Sequence, residues 1–140
     1  MTHQEYRALS DFRYEIRKFL HFSEEAARAA GLEPQQHQML LAIQGLADGE
    51  GPTIGQLAEH LVLRPHSAVG LADRLEQRGL LERVRSDVDR RQVRLRLTHE
   101  GAESVRRLST IHRAELRQSA PLLIDALHRA IELAPAVGRR

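Results

Sequence analysis

Apolar residues recur at helical spacing along most of this chain, and the period changes once, between residues 80 and 97. From residue 3 to 30, Tyr6, Leu9, Phe12, Ile16, Phe19, Leu20, Ala26, Ala27 and Ala30 predict one long helix. Thr2 can cap its start and Gly31 can stop it. Pro34 suits the first turn of a second helix, which runs through His37, Met39, Leu40, Leu41 and Ile43 to about Leu46. Asp48-Gly49-Glu50-Gly51-Pro52 reads as a loop on its turn chemistry. Thr53 and Gln56 make the capping box of a short third helix carrying Ile54, Leu57, Ala58 and Leu61. Pro65 opens a fourth helix, with Val69, Ala72 and Leu75 on one face and Gly79 as its stop.

The change of period predicts two strands, Leu80 to Arg85 and Gln92 to Leu97, joined by Ser86 to Arg91. In the second, Val93, Leu95 and Leu97 alternate with Arg94 and Arg96, which gives one buried and one wet face. Helical spacing then resumes. Thr98 caps a fifth helix with Val105, Leu108, Ile111 and Leu116, and Pro121 is read as the start of a sixth, holding Leu122, Leu123, Ala126, Leu127, Ala130 and Ile131. Pro135 and the Gly138-Arg139-Arg140 end read as frayed.

A compact helix pair followed by an arginine-rich hairpin is the order of a helix-turn-helix with a wing. The predicted class is mainly α with a small β-hairpin, a winged helix-turn-helix with long terminal helices, and its common use is reading double-stranded DNA. We take residues 1–140 as a single domain: 1–33 and 99–140 as dimerisation helices, 34–98 as the DNA-binding lobe. The terminal helices carry more apolar surface than so small a core needs. A second copy related by a two-fold axis is the simplest cover for it. Two copies would set their recognition helices roughly 34–36 Å apart on successive major grooves.

Charge sharpens this reading. The net charge is only +2, but residues 64–96 hold nine arginines against five acids, whereas residues 1–63 hold five basic and nine acidic side chains. All 21 basic residues but Lys18 are arginine, the better side chain for bidentate phosphate and guanine contacts. Genomic base composition remains an alternative source of the global arginine bias. The absence of cysteine removes disulfides and thiol chemistry. No apolar run approaches the roughly 18 residues of a membrane span, and no signal peptide is visible, so we expect a cytoplasmic protein with no membrane partner.

Asp73-Arg74-Leu75-Glu76-Gln77-Arg78-Gly79-Leu80-Leu81-Glu82-Arg83, then Asp89-Arg90-Arg91, then Leu95-Arg96-Leu97-Thr98-His99-Glu100-Gly101 resemble the signature of the MarR family of transcriptional regulators. The likeness extends over nearly the whole chain, including the long first helix and the leucine-rich end. It implies a dimeric winged-helix protein that binds a near-palindromic operator, usually as a repressor, and in many members lets go of DNA when it binds a small aromatic or phenolic effector. The thiol-sensing branch of that family uses a cysteine in the first helix, which this chain lacks. Arg64-Pro65-His66-Ser67, ahead of and opening the recognition helix, are not shared across the family, so the operator sequence does not carry over.

The candidate DNA contacts are Arg64, His66, Ser67, Ala68, Arg74, Asp89, Arg90 and Arg91. His66, Ser67 and Ala68 fall in the N-terminal turn that faces a groove, and Gly70 would let the backbone approach closely. Ser67 as a mere cap and His66 as a solvated side chain are the plainer alternatives. Asp73 and Arg74 could pair with neighbours or hold the helix near phosphate. By residues alone, Asp87-Val88-Asp89-Arg90-Arg91 is an exposed charged turn. The resemblance implies that Asp89 fixes an arginine, Arg91 being the favoured one, for insertion into a minor groove. Arg94 and Arg96 either add phosphate contacts or form the wet face of their strand. The resemblance also implies an effector site between the dimer helices and the DNA-binding lobe, for which Tyr14, Arg17, His21, His37 and Leu41 are the candidates, Arg17 or a histidine holding a carboxylate or phenolate. Solvated helix residues are the alternative for Arg17 and His21.

Eight histidines invite a metal reading, but no two stand three or four residues apart, the spacing of helical ligand pairs. His21, His37, His60, His112 and His128 could converge only through the fold. No metal or cofactor is therefore assigned. Ser67 beside His66 is no triad, because adjacent helix residues do not face each other, and no phosphate-binding glycine loop occurs, so no enzyme is expected. A metal-responsive regulator on the same fold, or an interaction module that has lost DNA binding, are the alternatives.

Overall fold

The computed structural model describes residues 1–132, so Pro135 and the Gly138-Arg139-Arg140 end lie outside the described residues. In chain order the elements are α1 (His3–Ala29), α2 (Pro34–Gly45), α3 (Ile54–His60), α4 (Pro65–Gln77), β1 (Leu81–Arg85), β2 (Val93–Leu97) and α5 (His99–Glu132). They form two compact units. One holds Met1–Ala26 with the chain from Thr110 onward, and the other is Ala27–Ser109.

In the first unit, α1 opens with a capping box. The Thr2 hydroxyl accepts the Glu5 amide at 3.2 Å, and the Glu5 carboxylate accepts the Thr2 amide in return. Burial here falls on Ala8 and Ala126, and on His112, whose ring shares a 2.7 Å hydrogen bond with the Ser23 hydroxyl and meets Phe19 and Phe22 edge-on. Arg129 reaches both Asp125 at 3.0 Å and Asp11 at 3.4 Å. Tyr6, Leu9, Ile111, Leu122, Ile124, Leu127 and Ile131 stay exposed in the single chain.

The expected break at Pro121 does not occur: α5 is continuous, with the proline inside it. Proline removes one N–H from the helical ladder and costs on the order of 3 kcal/mol in a helix interior. The phase of the buried stripe explains the continuity. Val105, Leu108, His112, Glu115, Ser119, Leu123, Ala126 and Ala130 recur at steps of three and four, all buried or half-buried, without a slip at the proline. A break would rotate the second half of that stripe out of register. Three of its members are polar, which hid it from a count of apolar residues. Ile111 and Leu116, read as part of the stripe, point outward instead.

In the second unit, α2 and α3 each begin with a capping box, Glu33 with Gln36 and Thr53 with Gln56. Met39, Leu40, Ile43, Leu57, Leu75, Leu81, Leu95 and Leu108 are fully buried and make the core, each worth about 1.5–3 kcal/mol relative to exposure. β1 and β2 pair antiparallel with Leu81 opposite Leu97 and Arg83 opposite Leu95. The Leu95 amide also donates to the Pro52 carbonyl at 2.9 Å, which lays the α2–α3 loop alongside β2.

The α4–β1 turn and the start of α5 are fastened together. The Thr98 hydroxyl donates to the Gly79 carbonyl at 2.6 Å, and the Thr98 amide donates to the Leu80 carbonyl at 3.1 Å. Thr98 also caps α5 by accepting the Gly101 amide at 3.1 Å. A Cβ at Gly101 would lie 1.9 Å from the Leu80 carbonyl oxygen, so no other residue fits there.

Two helix ends in this unit share one hydrogen-bond pattern with different residues at its turning point. After α4, the Leu80 amide reaches back to Leu75 across Gly79, which has φ +74. After α3, the Leu63 amide reaches back to Ala58 at 2.8 Å across Val62, which has φ +55 and is 90% exposed. A β-branched residue in the left-handed region carries a cost of about 1–2 kcal/mol, whereas glycine carries an unfolded-state entropy cost of about 0.5–1 kcal/mol. Val62→Gly is therefore expected to stabilise the protein by up to about 1 kcal/mol. Denaturant unfolding of the full chain checks this, and an unchanged or lowered midpoint would contradict it.

Candidate nucleic-acid interface

The burial stripe of α4 orients it in the second unit. Ala68, Leu71, Ala72 and Leu75 are buried at spacings of three, four and seven. Two expectations are corrected by this. Ala68 is wholly buried and unavailable to DNA, and Val69, expected in the core, is 40% exposed on the outer side. The stripe at 68, 71, 72 and 75 is the fuller helical pattern, and it places position 69 a third of a turn away. The outward face of α4 thus begins with His66 and Ser67 and continues through Val69 to Asp73 and Arg74.

The N-terminal end of α4 is chemically open. Arg64 stands at its N-cap without a side-chain hydrogen bond, and Pro65 follows. The amides of the first turn carry the positive end of the helix dipole, a natural seat for a phosphate oxygen. Arg64, His66 and Ser67 are all exposed there. Arg74 lies along the same outer face, its guanidinium 3.8 Å from where a Cβ on Gly70 would stand. Asp73 is engaged elsewhere. With Glu76 it clamps Arg83 of β1, at 2.7 and 2.5 Å respectively, and so ties the helix to the hairpin.

The hairpin tip, residues 86–92, presents the arginines. Asp89 accepts the Arg91 amide at 3.1 Å and grips its guanidinium through two bonds of 3.1 and 3.2 Å. The Arg91 side chain nonetheless remains 91% exposed. These bonds from Arg91, side chain first and then backbone, with the charge of Arg94, hold the Asp89 carboxyl below the ordinary aspartate range. Arg90 is exposed, and its carbonyl accepts Arg85 at 2.7 Å. Arg96 is exposed as expected, but Arg94 is not part of a wet face. Its guanidinium donates to the Gly51 carbonyl at 3.0 Å and to Gln92 at 2.7 Å, beside the carboxylate of Glu50. The strand's alternation did not foretell this, because the loop at Gly51 covers the polar side of β2.

Glu50 is the residue that sequence reasoning passed over. Its carboxylate accepts the Ser86 hydroxyl and the amides of Asp87 and Val88, 36 to 38 positions away in the chain. A glutamate in a turn-rich loop gives no signal for such a bond at that distance. Those donors, Ser86 foremost, hold the Glu50 carboxyl below the ordinary glutamate range.

The five effector candidates are divided between the units. Tyr14, Arg17 and His21 are exposed along α1 in the first unit, with the Lys18 ammonium 4.8 Å from the centre of the Tyr14 ring. His37 and Leu41 are on α2 in the second unit, where His37 is buried and Leu41 is 44% exposed. Leu41 borders a cleft of about 390 Å³ with Gln38, Leu46, His60 and Leu61. Among the described residues no group of three or more His, Asp or Glu side chains is placed to hold a metal ion, and no helix is long and apolar enough to cross a membrane.

Comparison with known proteins places this geometry. The family model described as MarR family matches residues 30–92, which takes in α2 through the hairpin tip. The chain is 32% identical over 77 residues to the HTH-type transcriptional repressor MdtR of Bacillus subtilis (strain 168), covering 55% of this chain and 48% of that protein. It thus spans about half the length of the curated relatives it matches. Its fold is shared with AbsC, a MarR family transcriptional regulator from Streptomyces coelicolor, with a TM-score of 0.71 and 22% identity over 99% of this chain and 86% of AbsC. It is shared as well with MepR of S. aureus in a complex with DNA, with a TM-score of 0.66 and 19% identity over 78% of this chain and 76% of MepR. The helix-turn-helix and the arginine-tipped hairpin fall within the matched residues, and over them the chain is similar to the MarR family, whose fold it shares.

Proposed function

We propose that this protein is a dimeric, sequence-specific DNA-binding transcriptional regulator, a repressor released from its operator by a small aromatic or phenolic effector. The observation that carries the DNA reading is Arg91, gripped by Asp89 yet almost fully exposed at the hairpin tip. A guanidinium held in one orientation loses less entropy on entering a minor groove than a free one, and the narrow groove's negative potential favours it. The open N-terminal turn of α4, with Arg64, His66 and Ser67, would face bases and phosphates in the adjacent major groove, and Arg74 and Arg90 would reach the backbone. The relative MdtR is named a repressor and MepR is seen with DNA, which favours the same use here.

The exposed apolar residues of the first unit support the dimer. Leu122, Leu127 and Ile131 are 56%, 40% and 67% exposed in the single chain, on a helix that carries charge elsewhere. A second copy would cover them. For the effector, Tyr14, Arg17, Lys18 and His21 offer a ring beside cationic groups along α1, which suits an aromatic carboxylate. His37 is buried and is a supporting rather than a contacting residue in this reading.

Three measurements test the proposal. Binding to a duplex selected by the protein from random sequence should weaken steeply with salt, each neutralised phosphate releasing about 0.9 counterion. Arg91→Ala should cost about 1–3 kcal/mol of affinity, and Arg90→Ala should flatten the salt slope by about 1. Two variants that bind like the parent would remove the wing from the interface. In sedimentation the parent should be a dimer at micromolar concentration and Leu127→Asp a monomer or an aggregate, since a carboxylate buried between chains would have no partner; a monomeric parent overturns the dimer. Duplex affinity measured with and without an aromatic acid such as salicylate should fall about 5–150-fold for a coupling of 1–3 kcal/mol. That response should be lost in Arg17→Ala, and a ligand that raises the melting temperature without changing duplex affinity would sink the effector reading.

A further inference from the structure

We propose that Glu50 is the positioning residue of the wing, its carboxylate setting the conformation of the hairpin tip from which Arg91 reaches DNA. The inference rests on the DNA-binding reading above. The tip has little apolar packing to define it: Val88 is 88% exposed, and Ser86, 2% exposed, is its buried member. Polar contacts must therefore hold its shape. Three donors from its first three residues converge on Glu50, namely the Ser86 hydroxyl, the Asp87 amide at 3.0 Å and the Val88 amide at 3.2 Å. The Ser86 hydroxyl oxygen in turn accepts the amides of Val88 at 3.1 Å and Asp89 at 3.0 Å. Asp89 then grips Arg91 through its amide and its guanidinium. A continuous path of hydrogen bonds thus runs from Glu50 through Ser86 and Asp89 to Arg91.

The anchor of this path is rigid. Gly51 has φ +88, and a Cβ there would stand 2.7 Å from the Leu95 carbonyl oxygen, so the loop after Glu50 lies hard against β2. Arg94 fastens the same place, donating to the Gly51 carbonyl at 3.0 Å and standing 3.7 Å from the Glu50 carboxylate. Only a carboxylate satisfies the arrangement. One oxygen accepts both amides and the other accepts the Ser86 hydroxyl, whereas a glutamine turns an NH₂ toward that hydroxyl, which needs an acceptor and whose oxygen already accepts the Val88 and Asp89 amides. The Ser86 hydroxyl, with the two amides and Arg94, keeps Glu50 ionised below the ordinary glutamate range. A depressed folded-state value means that its contribution is complete above that range and is lost as pH falls through the lowered value.

The test uses the full chain with Glu50→Gln, and with Ser86→Ala as a second variant that cuts the same path at its next link. Two readouts are taken. Amide hydrogen exchange at Asp87 and Val88 needs no DNA and should speed up by about tenfold or more in Glu50→Gln, while α4 and β2 amides keep their protection. Affinity for a duplex selected by the wild-type protein should fall by about tenfold in Glu50→Gln and in Ser86→Ala. A double-mutant cycle separates positioning from general stability: in an Arg91→Ala background, Glu50→Gln should add less than about a twofold loss. Unchanged exchange at Asp87 and Val88 overturns the proposal, as does a loss that multiplies in full on top of Arg91→Ala. A wild-type protein that enriches no duplex fails the DNA-binding reading itself, and exchange at Asp87 and Val88 still decides whether Glu50 sets the tip.

Discussion

The Leu80 carbonyl oxygen set against the Cα of Gly101 is the close contact on which the second unit depends. It accepts the Thr98 amide and occupies the space where any side chain at position 101 would stand. The end of α4, the start of β1 and the start of α5 therefore meet at a single point. Thr98 closes the arrangement by donating its hydroxyl to Gly79 and capping α5 with the same oxygen. Gly79-Leu80 before the first strand and Leu97-Thr98-His99-Glu100-Gly101 after the second are the sequence imprint of this contact. Because the helix and the hairpin share that joint, the reading face of α4 and the tip of the wing keep one relation to each other.

Charge acts on this frame by division of labour. Of the nine arginines between residues 64 and 96, several are spent inside the unit. Arg78 is bonded to Gln36, Arg83 to Asp73 and Glu76, Arg85 to the Arg90 carbonyl, and Arg94 to the Gly51 carbonyl beside Glu50. Arg64, Arg74, Arg90, Arg91 and Arg96 face outward. The acids among them are not a flaw in a basic surface. Asp73, Glu76 and Asp89 each orient an arginine, and Glu50 orders the turn that carries one. Exposed ion pairs contribute little stability, so their value here is geometric: they fix where positive charge points.

Contacts with the rest of the unit explain why a short hairpin can hold a defined tip. Two strands of five residues are marginal alone. Here Leu81 and Leu95 anchor them in the core, Arg83 clamps them to α4, and the Pro52 carbonyl extends the pairing on the far side of β2. The tip beyond them is organised by hydrogen bonds alone, which leaves its side chains free to face a partner.

Local chemistry specified the elements up to the start of α5. The capping box of Thr53 and Gln56, proline at the openings of α2 and α4, and glycine at the stops of α1 and α4 depend on contacts within four residues, so the sequence displays them directly. The Asp89 grip on Arg91 is also only two residues long, but by its residues alone that turn reads as charged and exposed, and it is the resemblance that points to the grip. Whatever depended on long-range packing was hidden. Ala68 and Val69 exchange places between core and surface because the stripe of α4 is defined by what covers it. Pro121 sits inside a continuous α5 because the stripe on that helix runs through Glu115 and Ser119, which look like surface residues until a neighbour buries them. Arg94 turns inward and Glu50 becomes the anchor of the wing because a loop 36 or more residues away folds against them. Short-range hydrogen bonds are written into spacing, whereas burial and distant charge pairs exist only once the chain has brought their partners together.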